Sequence, residues 1–240
     1  MIYNLFPSIL FFLFSYSPSE ANISESKESK PAIYAKTVES SVEAKINAAY
    51  SSLHSDRFAL PNQDSFTEAL KGYYSLKAKG LIKKDILTLV DFSLSSNSKR
   101  MWVIDLTTGN ILFHSLVAHG RNTGEEYASN FSNSAESFKS SLGFYATGEI
   151  YSGKHGMSLK LDGLEKGVND NARARGVVMH AADYVSNSFI KNHQRLGRSQ
   201  GCPAVPGELS NEIIRTIKDK SCFFIYHPSR VSKLGLRSIS

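Results

Sequence analysis

Met101-Trp102-Val103-Ile104-Asp105-Leu106 and Ile111-Leu112-Phe113-His114-Ser115-Leu116-Val117, joined around Thr108-Gly109-Asn110, set the fold class. Both runs are short and rich in β-branched and aromatic residues, and a Gly-containing turn separates them, which predicts a β-hairpin. Working outward, Ile86-Leu87-Thr88-Leu89-Val90-Asp91-Phe92 reads as a strand followed by a Ser/Asn turn. A polar loop runs from His119 to about Ser141, and strands resume at Leu142 to Thr147 and at Gly176 to His180. Leu209, Ile213 and Ile217 share one face of a helix from about Glu208 to Lys218. That helix leads into a last strand, Cys222-Phe223-Phe224-Ile225-Tyr226. The pattern is mainly β (α+β).

The pattern before this region is helical. Val42, Ile46, Ala49 and Leu53 recur at helical spacing, and Pro61 ends the segment. A second helix runs from Phe66 through Ala69, Leu70 and Tyr73-Tyr74 to a stop at Gly80, with Asp64 or Ser65 as its cap. Further upstream, Ser15 to Pro31 is rich in Ser, Glu and Lys without periodicity, the composition of a flexible linker. Leu5 to Phe14 is an apolar run of signal-peptide length, too short to span a bilayer securely. Ser15, Ser17, Ser19 and Ala21 follow it as small and polar residues, and no Cys follows it to carry a lipid anchor. The expected organisation is a signal peptide at 1–20, a linker at 21–38, a helical region at 39–82, the mainly β core at 83–230 and a tail at 231–240. Export is expected, with no stable membrane span after signal cleavage.

The chain has 240 residues, 41% hydrophobic and 21% charged, which excludes a disordered or fibrous protein. The net charge is +6 and the pI about 9.2. The basic residues are scattered rather than clustered, so no nucleic-acid arm is indicated. There is no His-Glu-x-x-His and no Cys-x-x-Cys pair, so neither a metal nor another cofactor is called for.

Only two cysteines occur. Cys222 opens an apolar strand, where a thiol acts as a small hydrophobe. Cys202, between Gly201 and Pro203, has a loop setting, so the pair reads as one structural and one reactive thiol rather than a disulfide. A catalytic cysteine needs a base or a positive field to form its thiolate, and N–H groups aimed at the developing oxyanion. Gly201 permits the close backbone approach that this requires. His180, at the end of the apolar strand Val177-Val178-Met179, is the candidate base. His155 and His193 are among the competing histidines.

These residues also carry a resemblance. His180, 18 intervening residues and Ser199-Gln200-Gly201-Cys202 are similar to the signature of the murein L,D-transpeptidase catalytic domain family, the YkuD-like subgroup. Ser140-Ser141-Leu142-Gly143-Phe144-Tyr145, Gly153-Lys154-His155-Gly156, Leu161-Asp162-Gly163-Leu164-Glu165, Gly167-Val168-Asn169-Asp170-Asn171 and Gly201-Cys202-Pro203-Ala204-Val205-Pro206 extend it, over about Phe66 to Tyr226. The resemblance implies a β-sandwich or barrel core in which Cys202 attacks and His180 accepts its proton. Backbone N–H groups near Gly201 and Cys202 would form the oxyanion hole, and the carbonyl of Ser199 or Gly201 would orient the imidazole. The implied reaction is acyl transfer on peptidoglycan stem peptides in the cell envelope or periplasm, and a carbapenem is expected to acylate Cys202. Arg198, His155, Arg175 and Gln200 are the expected substrate contacts, and Arg121 is a further candidate. Gln200 stands where the signature has His, and Ala204 where it has Asn or Arg. Arg198, Arg195 and Arg175 are the candidates to replace the latter. A cysteine peptidase acting on wall peptides and a catalytically silent wall-binding module are the competing readings. Oligomeric state is not legible.

Overall fold

A computed structural model describes residues 30–230, with side chains from Ser41 onward. The expected signal peptide, residues 21–29 of the expected linker and the tail at 231–240 lie outside the described residues. The chain divides between Val38 and Glu39. Of the first unit, the described residues hold only the opening turns of helix α1 (Lys30–Ser51), which therefore begins inside the stretch read as linker. All that follows concerns the second unit.

Eight strands form one sheet in the order β3-β2-β1-β8-β4-β5-β6-β7. They are β1 (Ile86–Asp91), β2 (Met101–Asp105), β3 (Asn110–Ser115), β4 (Gly143–Gly153), β5 (Gly156–Gly163), β6 (Val178–Ala181), β7 (Ala204–Val205) and β8 (Cys222–Tyr226). Helices α2 (Gln63–Ala78), α3 (Asn187–His193) and α4 (Gly207–Ile217) complete the elements. Just beyond β3, Ala118 pairs with Ala204 of β7 in an antiparallel bridge. The Ala118 N–H donates to the Ala204 carbonyl at 2.9 Å. This contact joins the two ends of the strand order, so the sheet curls into a nearly closed barrel, which removes its open edges.

The long apolar runs of the central strands follow from burial on both faces. Val90, Met101, Val103, Tyr145, Phe223 and Ile225 face one core together with Ile213, Ile214 and Ile217 of α4. Their neighbours Leu87, Leu89, Trp102, Ile104, Phe144 and Phe224 face a second core built with Ile46 of α1 and Phe66, Ala69, Leu70 and Tyr73 of α2. Gly72 lies against Phe144, and a β-carbon there would overlap the ring. Helices α1 and α2 thus cover the sheet. The cap of α2 is Asn62, not Asp64 or Ser65: its side chain accepts the Asp64 N–H at 2.8 Å.

Two pairings position the site. Strand β6 pairs with β7 in parallel, with His180 opposite Ala204. A parallel pair needs a crossover, and this one carries α3 and the segment Arg198–Pro203. On its other side β6 pairs antiparallel with β5, Ser158 opposite His180. Strand β5 falls where the sequence suggests only a Gly-rich stretch.

Candidate active site

The register of β6 and β7 is what brings Cys202 to His180. Cys202 lies two residues before Ala204, the register partner of His180. The His180 N–H reaches the carbonyl of Pro203 at 3.4 Å. Both residues line one cavity of about 460 Å³. Ser199, Arg198, His155, Arg175 and Gln200 line it too, whereas Gly201 and the further candidates Arg121, Arg195 and His193 do not. Gly201 is buried directly behind it. Among the residues with described side chains, none of α1 or α2 takes part.

The loop before Cys202 is held from several sides. Gly201 has φ +121°, and a β-carbon on it would lie 2.8 Å from the Lys139 carbonyl, so only glycine fits without strain. The Ser199 hydroxyl donates to the Cys202 carbonyl at 2.6 Å. It also accepts the Gly201 N–H at 3.0 Å. The Ser140 hydroxyl donates to the Gly201 carbonyl at 3.2 Å. The Ser199 N–H donates to the His119 carbonyl at 3.0 Å, and the Ser199 carbonyl accepts the Arg121 N–H at 2.8 Å.

These bonds correct two expectations. Neither the Ser199 nor the Gly201 carbonyl orients the imidazole, since both are engaged elsewhere. The orienting group is the carbonyl of Ala181, 2.8 Å from His180 Nδ1. A carbonyl only accepts, so the proton sits on Nδ1 and Nε2 keeps its lone pair. Nor is the Gly201 N–H free for an oxyanion, because Ser199 Oγ takes it. Among the described residues, the Arg198, Gln200 and Cys202 N–H groups of this loop are left without an acceptor, and that of Cys202 belongs to the thiol-bearing residue itself.

Cys202 is half-buried and His180 is buried. The Val178 N–H donates to Cys202 Sγ at 3.5 Å. The thiol in turn donates to the Gly176 carbonyl at 3.7 Å. Burial pushes the thiol above its ordinary range, opposed by the Val178 N–H and the charges of Arg175 and Lys154. Burial holds His180 below its ordinary value, the Ala181 carbonyl opposing and His155 and Lys154 adding to the effect. Both shifts favour the neutral thiol and neutral imidazole. Neither shift favours a resting thiolate–imidazolium pair.

The other candidates separate clearly. His155, from the β4–β5 turn, stacks on His180 with ring centroids 4.3 Å apart. Arg198 pairs with Glu125 and also donates to the Arg121 and Gly124 carbonyls at 3.2 Å each. Arg195 pairs with Glu125 at 3.0 Å. Arg121 lies over the Phe138 ring at 3.9 Å and does not border the cavity. His193 sits on α3 against Phe189, away from it. Asp162 pairs with Arg173, and Glu165 accepts the Phe144 N–H at 2.6 Å, so both hold turns. Sequence reasoning missed Lys154, Tyr151, Ser158 and Tyr184, which also line the cavity. The first three sit on the β4–β5 hairpin, which the pairing of Ser158 with His180 lays beside β6, and only the Gly153-Lys154-His155-Gly156 match hinted at it.

Cys202 and Cys222 are both free thiols, and Cys222 is fully buried in β8. Among the described residues, no group of three or more His, Cys, Asp or Glu side chains is placed to hold a metal ion. No helix among them is long and apolar enough to cross a membrane.

The family model of the L,D-transpeptidase catalytic domain (YkuD_2) matches residues 59–226. No curated protein sequence matches the chain. Among solved structures, an L,D-transpeptidase from Mycobacterium smegmatis is similar at 10% identity and TM-score 0.37, covering 60% of this chain and 59% of that one. The helical cell shape determining protein Pgp2 from Campylobacter jejuni is similar at 13% identity and TM-score 0.38, with 64% and 54% covered. Bd1075 from Bdellovibrio bacteriovorus is similar at 15% identity and TM-score 0.36, with 62% and 52% covered. The chain thus spans less than two thirds of the length of these structures.

Proposed function

This chain belongs to the L,D-transpeptidase catalytic domain family, and from that premise we propose that it is an exported cysteine acyltransferase acting on peptidoglycan stem peptides. The observation that carries the reading is the placement of Cys202 and His180 on one cavity, with His180 Nδ1 engaged by the Ala181 carbonyl and Nε2 left to accept a proton.

The thiol proton passes to His180 Nε2 as Cys202 Sγ attacks the carbonyl carbon between the L-centre of a diamino acid and D-Ala. The oxyanion is met by the Cys202 N–H. Collapse breaks the amide bond, and D-Ala leaves with the proton returned from His180. A thioester remains on Cys202. An amine acceptor attacks it, gives its proton to His180 and takes the acyl group, which restores the thiol. His155, Arg175, Arg198 and Gln200 are the proposed contacts to the stem. The proposed organisation is a helical region at 39–82 on a catalytic core at 83–230, working in the cell envelope. No nucleic-acid partner is proposed.

The deciding experiment incubates the wild type and Cys202→Ala with a tetrapeptide muropeptide, with and without an added amine. The wild type should release D-Ala and form the amide product, and the variant neither. A Cys202→Ala protein that folds and still releases D-Ala overturns the reading. Release with only shortened stems as product makes water the acceptor, the carboxypeptidase alternative. An intact-mass adduct of a carbapenem on the wild type alone is the companion result, and its absence favours the silent wall-binding reading.

A further inference from the structure

Arg175 is held differently from the other arginines near the cavity. Arg195 and Arg198 both pair with Glu125, and Arg173 pairs with Glu149 and Asp162. Arg175 has no carboxylate partner among the described residues. Its Nη1 donates to the Ser132 carbonyl at 2.9 Å and to Ser141 Oγ at 3.2 Å. Its Nη2 donates to the Lys139 carbonyl at 2.7 Å and to Ser137 Oγ at 3.3 Å. Every one of these acceptors is a neutral dipole.

The guanidinium is also half-buried. A cation withdrawn from water without a counter-ion costs free energy, so the position calls for an anion nearby. Two ionisable protons lie close by. One belongs to the Tyr145 phenol, which is fully buried, donates to the Ser141 carbonyl at 2.8 Å and is held protonated far above the ordinary range by desolvation. The other is the Cys202 thiol, on the same cavity. Arg175 Nη2 lies 3.4 Å from where a β-carbon on Gly201, the residue before Cys202, would stand. Ala204 is fully buried between β6 and Ala118, so no side chain there can serve instead.

We propose that Arg175 is a positioning residue whose fixed positive charge stabilises the Cys202 thiolate, its neutral-dipole brace holding the guanidinium beside the nucleophile loop. The proposal rests on the reading of Cys202 as the nucleophile but not on the reaction that the thiolate performs. It separates Arg175 from Arg198, whose charge Glu125 already balances.

The test is the pH dependence of Cys202 alkylation by iodoacetamide in the full chain, read by intact mass, for the wild type, Arg175→Gln and Arg175→Lys. Arg175→Gln should move the midpoint upward by about one pH unit, the lower end of what a close opposite charge does. Arg175→Lys keeps the charge and loses the planar fork, so its midpoint should stay near the wild-type value. An unmoved midpoint in Arg175→Gln overturns the proposal. So does a rise in Arg175→Lys as large as that in Arg175→Gln, because the loop brace and not the charge would then be the cause. If Arg175→Gln does not fold, Arg175→Lys decides alone: an unmoved midpoint supports the proposal and a raised one overturns it. D-Ala release is measured in parallel. Its absence from a wild type that shows the expected midpoints counts against the acyl-transfer reading and leaves the role of Arg175 standing.

Discussion

The imidazole of His155 lies on that of His180, with ring centroids 4.3 Å apart and planes 19° apart. His155 comes from an exposed turn and His180 from a buried strand end, so the stack spans the wall of the cavity. Two imidazoles in this arrangement resist being cationic together. Together with burial, this keeps His180 able to accept a proton at lower pH than a free histidine.

His155→Phe keeps a ring on His180 and removes the charge. The His180 value then rises toward its ordinary range, so the acidic limb of kcat/KM moves to higher pH. His155→Ala should shift the limb likewise and also lower the plateau by roughly tenfold, because the base loses its support. A pH–rate profile of D-Ala release checks both. An acidic limb that stays in place for His155→Phe contradicts the stacking argument.

Gly201→Ala tests the loop. The backbone at φ +121° is one that L side chains rarely adopt, and the added carbon would meet the Lys139 carbonyl at 2.8 Å. Relief requires the loop to move, at a cost of about 1–3 kcal/mol. For a chain of this size the melting temperature should fall by roughly 3–10 °C. Activity should fall by far more than the folded fraction does, since the Cys202 N–H turns with the loop. A melting curve and a rate at a temperature where both proteins are folded separate the two effects.

The fold was legible where packing writes itself into composition. Strands β1, β2, β4 and β8 have apolar cover on both faces, so they appear as continuous apolar runs. Helix α4 shows its buried Ile213 and Ile217 at helical spacing. Strand β5 does carry a strand period, since Met157-Ser158-Leu159-Lys160-Leu161-Asp162 alternates apolar and polar residues, but the glycines that bound it give the stretch the composition of a turn. Strand β7 is two residues long, and α3 buries none of its residues, so neither leaves a period to read. In the site, Cys202 and His180 stood out by their loop and strand-end settings only together with the family resemblance. The Ala181 carbonyl was not, because a backbone acceptor has no side-chain signature. Lys154 and Tyr151 reach the cavity because the β4–β5 hairpin pairs with the later strand β6, a pairing that no local pattern encodes.

Ser199→Ala removes one hydroxyl that serves two backbone groups, the Cys202 carbonyl at 2.6 Å and the Gly201 N–H at 3.0 Å. Ser199 is buried, so water does not replace the bonds without rearrangement. The expected loss is about 1–3 kcal/mol of stability. The Gly201 N–H would then be free to compete for the oxyanion site, and the loop would be less rigid. We expect kcat to fall by one to two orders of magnitude with KM little changed, on the general scale of a misplaced catalytic group. A KM effect alone would assign Ser199 to substrate contact instead.

His119 makes a different kind of prediction, about acid stability. It is almost fully buried, with Nδ1 2.8 Å from Arg100 Nη2 and Nε2 3.2 Å from the Gly124 carbonyl. The arginine can only donate, so Nδ1 accepts and the ring must be neutral. Burial and the adjacent Arg100 charge push its value down to about 4. An unfolded chain binds this proton near the ordinary histidine value of about 6.5. Between those two values the unfolded state holds more protons than the folded one, so stability falls as pH drops through the window and levels off below it. The full effect is roughly 3 kcal/mol. Its consequence reaches the site, because the His119 carbonyl holds the Ser199 N–H at 3.0 Å. His119→Gln, which carries no titratable proton, should be less stable than the wild type at pH 7. It should also lose less of its own stability between pH 6.5 and pH 4. Denaturant midpoints across that range check the prediction, and equal acid sensitivity in the two proteins contradicts it.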